Sequence, residues 1–130
     1  MQPDTFRRFQ ALTNAEDRKK KGGYIMQILA TERHMLGAEF KLVKVSNDFY
    51  MYGTQKEFDS LLGVPISQCG TLEKVLKHCE NISHLCKNYI DQYKKEAAKS
   101  KNPEGWEQLI KHEQSELSIV SKFSKVLKAL

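Results

Sequence analysis

The residues best equipped for chemistry crowd into one stretch, where His78, Cys79, His84 and Cys86 fall within nine positions. Thiols and imidazoles are what a tetrahedral zinc ion takes, with each thiolate about 2.3 Å from the metal. On a helix, Cys79 and Cys86 lie two turns apart, roughly 10 Å at 1.5 Å per residue, and the two histidines are not four positions apart. That spacing supports neither a zinc site nor a disulfide, which needs Cα atoms within about 7 Å. The pattern reads instead as two core cysteines flanked by two solvated histidines, with no metal-ligand set. Cys69 follows Pro65 in a loop and is the one thiol expected at the surface. Nothing near it in sequence lowers its pKa, so it is not read as a nucleophile.

The remaining candidates fare no better. His34, His112 and the carboxylates show no zinc-protease spacing, no serine elbow and no glycine-rich nucleotide fingerprint. Lys19-Lys20-Lys21-Gly22-Gly23 has the lysine and glycine content of a phosphate loop but lacks its spaced glycines and Lys-Ser/Thr ending. Asn81-Ile82-Ser83 matches a glycosylation acceptor, yet it falls inside a helix. The expectation is a non-enzymatic protein with no catalytic residue and no cofactor.

Binding chemistry is better represented. Formal net charge is +5, and residues 1–23 hold six basic against three acidic groups. Arg7, Arg8, Arg18, Lys19, Lys20 and Lys21 are candidates for polyanion contact, since basic side chains on one surface bind phosphates in a salt-sensitive, sequence-independent way. No recognition-helix, zinc-knuckle or RNA-binding aromatic motif accompanies them. Tyr50 and Tyr52 alternate on one strand and would stack bases only if exposed; packing against a helix is the simpler use. Lys122, Lys125 and Lys128 follow at intervals of three, a basic face of the sort that lies on membrane surfaces, diluted by Glu104, Glu107, Glu113 and Glu116.

These residues are positioned by a chain read as mainly α with a minor β component. Between Thr71 and Ser100 the apolar residues Leu72, Val75, Cys79, Ile82, Cys86, Tyr89 and Tyr93 recur in steps of three and four, the spacing of a helix with one buried seam. Asn102 as N-cap and Pro103 as first residue open a second long helix, with Trp106, Leu109, Ile110, Leu117, Val120, Phe123 and Leu127 on its apolar side. The short connection predicts a long antiparallel helical hairpin of coiled-coil type over 71–130. In the predicted register Trp106 meets Tyr93 or Ala97, Leu117 meets Leu85, Val120 meets Ile82 and Phe123 meets Cys79. Six polar residues, Lys111 to Glu116, interrupt the stripe, and Glu113 is expected to accept a hydrogen bond from Tyr89.

Residues 1–70 read as shorter N-terminal helices and a small β-hairpin within the same single domain, 1–130. One helix runs from Pro3 to about Asp17, and a second from Tyr24 to Leu36 ends at Gly37. Strands spanning Phe40–Val45 and Phe49–Tyr52 flank the turn residues Ser46-Asn47-Asp48. Thr54 and Glu57 form a capping box for a helix that buries Phe58, Leu61 and Leu62 and stops at Gly63.

Met1 to Gln10 contains no apolar run, and no stretch approaches the roughly 18 apolar residues of a membrane span. With an odd number of cysteines, this predicts a cytoplasmic, intracellular protein with reduced thiols. Leu76, Leu85 and Ile90 widen the apolar sector of the first long helix beyond what a two-helix seam needs. They are the expected anchors for another protein or a second copy of the chain. The function read from the sequence is a protein-interaction or adaptor module, alone or as a homodimer; the alternative is a nucleic-acid-associated protein using the basic N-terminal segment.

Overall fold

The computed structural model describes residues 26–130. The expected helix over Pro3–Asp17 and the whole basic set, Arg7, Arg8, Arg18, Lys19, Lys20 and Lys21, lie outside those residues. Four strands form one antiparallel sheet in sequence order, β1 (Gln27–Arg33), β2 (Glu39–Ser46), β3 (Phe49–Thr54) and the two-residue β4 (Cys69–Gly70). A short helix α1 (Gln55–Asp59) and a 3-10 turn (Ile66–Gln68) lie between β3 and β4, and two long helices follow, α2 (Leu72–Lys99) and α3 (Glu104–Lys128). The long helices pack together, as the seam periodicity predicts.

The β2–β3 hairpin forms where its strand-forming residues and the Asn47-Asp48 turn place it, with Leu42 opposite Tyr52 and Val43 opposite Met51. Because side chains alternate along a strand, the two faces build separate cores. Leu42, Tyr50 and Tyr52 join Val75 and Cys79 of α2 and Ile119, Val120, Phe123 and Leu127 of α3. Val43, Val45 and Met51 face the other way and meet Val64 and Cys69, with Phe58 and Ile66 packed against them. Tyr50 and Tyr52 are therefore buried and do not serve as base-stacking platforms.

The segment read as a helix from Tyr24 to Leu36 is a strand from Gln27 onward, paired through Ile28–Val43, Ala30–Leu42 and Glu32–Phe40. Its register shifts between Ile28 and Ala30, so Leu29 is the extra residue of a bulge. A bulge puts neighbouring side chains on one side of the strand, and Leu29 and Ala30 both pack against the helix-facing core. That doublet breaks the period of two and mimics a helical stripe. Gly37 (φ +96°) serves the β1–β2 turn rather than a helix end, and Met35 and Leu36 at that turn are exposed.

The capping box stands as read. The Glu57 N–H donates to Thr54 Oγ1 (3.1 Å) and the Thr54 N–H donates to Glu57 Oε1 (2.8 Å). Yet α1 stops at Asp59, and Leu61, expected in the core, is 83% exposed, with Leu62 also exposed. The Gly63 N–H closes a turn on the Ser60 carbonyl, which swings the leucine pair outward. The start of α3 is shifted by one: Pro103 is the N-cap, with no side-chain cap, and the Asn102 N–H donates to Ser100 Oγ. No helix among the described residues is long and apolar enough to cross a membrane.

Candidate functional site

Thr71 opens α2 by accepting the Lys74 N–H on its Oγ1 (3.2 Å), satisfying a donor that a first turn leaves orphaned. From there the sheet covers only part of the helix pair. The residues that join it in the core come from the first two turns of α2 and the last two or three of α3. Further along, Cys86 and Ile90 are the buried positions of α2. Beside them Leu85, Tyr89 and Tyr93, four apart, share a face. Leu85 is 48% exposed and Tyr89 43%. Tyr89 stacks on Tyr93 (centroids 5.9 Å apart, planes 17° apart), and Tyr93 meets Trp106 of α3 at 5.8 Å. The Trp106–Tyr93 level of the predicted register is thus present, and exposed Leu109 lies three residues beyond Trp106.

The three anchors named from sequence separate. Leu85 is open to solvent, Ile90 is buried at 7% exposure, and Leu76 is half-buried against the sheet-facing core. Sequence periodicity assigns all three to one wide sector because it cannot register which part of the helix the sheet covers. Tyr89 continues the exposed row with Leu85, and Leu109 is exposed on α3; their signal, seam-like spacing beyond the reach of the hairpin strands, is recognisable only once the sheet is placed.

The polar interruption of α3 is a docking point for the β1–β2 turn. The Met35 N–H donates to Ser115 Oγ (2.9 Å), and the His34 ring lies edge-on to His112 at 4.6 Å. His34 is buried, and its Nδ1 accepts the Leu36 N–H at 3.1 Å. Opposite the same interval, Cys86 Sγ and one carboxylate oxygen each of Glu113 and Glu116 lie within 4.8 Å of one another. Burial, followed by hydrogen bonding to Glu113 and the negative charge of both carboxylates, pushes the Cys86 thiol up to about 12. A thiol so raised is protonated at neutral pH beside the two carboxylates. The expected Tyr89–Glu113 hydrogen bond is not among those of the described residues: Tyr89 stacks on Tyr93, and it is Cys86 Sγ that lies beside Glu113.

Cys69 is buried rather than exposed, its Sγ donating to the Pro65 carbonyl at 3.3 Å, and burial raises it to about 12. Cys79, in the core, is likewise raised to about 12 by burial, with Glu80 adding to the shift. All three cysteines are free. His78 lies 5.8 Å from the Tyr52 ring, and partial burial lowers its pKa. An apolar cleft of about 490 Å³ opens beside α1, lined by Lys56, Leu62, Pro65 and Ile66 among others. The chain matches no protein-family model, no curated protein and no solved structure.

Proposed function

We propose that this chain is a non-enzymatic protein-interaction module that works through the surface of its helix pair, the two helices running as an antiparallel hairpin. The observation that carries this reading is the exposed row of Leu85 and Tyr89, continued by Tyr93, on which Tyr89 stacks, and by Trp106, tilted against Tyr93. Aromatic and leucine side chains at the centre of a patch supply most of an interface's affinity, and these belong to a part of the helices without sheet cover. Ile90 is buried next to the row, whereas Leu76 packs with the sheet-facing core and takes no part in it. The partner presents apolar helical surface of its own, either a second copy or another protein.

Light scattering on the pure chain, whose protomer mass is 15.0 kDa, separates self-association from a foreign partner. A Leu85→Ala/Tyr89→Ala double variant is expected to lose association, or the protein it captures from native cells, with its melting temperature unchanged. A monomer that captures nothing the variant fails to capture overturns the reading. An Ile90→Ala variant that melts early reports on the core instead, which is why it is the control.

A further inference from the structure

The crevice between α2 and α3 carries a second surface whose composition is opposite to that of the apolar row. Its volume is about 250 Å³, and Ser83, Ser121 and Ser124 line it together with His84, Lys87 and Lys125. Lys128 and Glu80 complete the lining. The two helices present the same spacing to it: Ser83 precedes Lys87 by four residues, and Ser121 precedes Lys125 by four. Residues four apart stack on one helix face, so each helix contributes a hydroxyl with an ammonium one turn away.

The way these groups are engaged distinguishes the crevice from an ordinary solvated face. Lys122, just outside it, is tied to Glu32 of β1 at 2.7 Å, and Lys128 pairs with Glu80 at 3.3 Å. Glu80 is the only carboxylate in the lining among the described residues, and it pairs with Lys128. Lys87 and Lys125 have no ion pair among the described residues, and the Ser83 and Ser121 hydroxyls have no hydrogen-bond partner there. The positions one turn before these lysines, where an acid would neutralise them, hold serines. Ser124 is buried and donates to the Val120 carbonyl at 2.9 Å, which fixes one small side chain in the lining. Two lysines without an ion pair and two serines without a hydroxyl partner, among the described residues, thus line one crevice.

We infer that the crevice between α2 and α3 binds a compact phosphoryl dianion, free or as a monoester, with Lys87 and Lys125 supplying charge and Ser83 and Ser121 donating hydrogen bonds. Ammonium groups act on phosphate as point charges, and hydrogen bonds to a charged acceptor are the stronger kind. The lining is short and lies open to solvent between two helices, with room for a single phosphoryl group rather than an extended phosphodiester track. The lysine series Lys122, Lys125 and Lys128 accordingly divides: Lys122 and Lys128 each pair with a glutamate, Lys128 within the lining, and Lys125 is the member without an ion pair among the described residues.

The test is a heteronuclear NMR titration of the full chain with inorganic phosphate and, separately, with O-phosphoserine, ionic strength being held constant with sodium chloride. Saturating shifts are expected for amides in the Ser83–Lys87 and Ser121–Lys125 turns. Lys87→Gln and Lys125→Gln should each weaken binding about three- to fivefold, the range of one partly exposed ion pair. Lys99→Gln removes the same charge at the far end of α2 and should leave affinity unchanged. Saturation by phosphate but not phosphoserine identifies the free ion as the ligand, and saturation by both identifies the phosphoryl group as the element recognised. Shifts that never saturate, or equal weakening by Lys99→Gln, overturn the proposal by showing diffuse attraction only.

Discussion

Cys69, Cys79 and Cys86 each lose water by a different route: a turn carbonyl covers the first, the central core the second, and a carboxylate pair the third. All three are pushed up to about 12, chiefly by burial. At pH 8 the thiolate fraction of such a group is on the order of one in ten thousand. The folded chain should therefore release no colour from a thiol-exchange reagent, and three equivalents after denaturation; rapid reaction of one equivalent in the native state would refute the placement of that thiol. His78 makes a complementary prediction. Its folded-state pKa lies below its ordinary 6.5 because burial disfavours the charged ring. The unfolded chain then binds the proton more readily, so stability is full above pH 6.5 and falls as pH drops from 6.5 towards the depressed value. Thermal melts of the wild type and of His78→Gln across that window should diverge, the wild type showing the extra slope. Parallel curves would mean that the imidazole titrates freely.

At the scale of elements, the sequence is most legible where one local rule decides the outcome. The periods of α2 and of the β2–β3 hairpin, and the Thr54–Glu57 box, each need only neighbouring residues to be understood. Thr54→Ala should cost about 1 kcal/mol, the usual worth of a lost N-cap, measurable by denaturant titration. No change would mean that packing of Phe58 alone holds α1. The illegible element is β1, where the Leu29 bulge disguises a strand as a helix and Gly37 punctuates equally well in either. A left-handed residue is wanted both after a helix and in a tight turn, so the glycine marks a boundary without naming what it bounds. At φ +96° and with nothing within 4 Å of an added Cβ, Gly37→Ala should destabilise by about 1–2 kcal/mol through backbone strain alone.

On the scale of the whole molecule, the uneven cover of the helix pair links stability to function. Val75, Cys79, Ile119, Val120, Phe123 and Leu127 share a core with the sheet, whereas Cys86 and Ile90 are the buried positions of α2 beyond it. The candidate row was half legible for the same reason: Leu85 is apolar in sequence and open in the fold, while Ile90 looks identical in sequence and is buried. Only the packing of α2 against α3, a tertiary fact, tells them apart. Amides that open locally are those with few buried contacts around them. Native-state hydrogen exchange should therefore be slowest around Val75–Cys79 and Ile119–Phe123 and faster over Tyr89–Lys99 and Glu104–Ile110. Phe123→Ala, which empties the best-covered site at a cost of about 3–5 kcal/mol, should accelerate exchange in both the sheet and the helices, because that ring joins them. A partner seated on Leu85 and Tyr89 should slow exchange in the outer turns while leaving the Phe123 level untouched. Uniform protection along α2 in the free protein would remove the distinction between the supported and the projecting parts of the helix pair, and with it the physical reason for locating binding there.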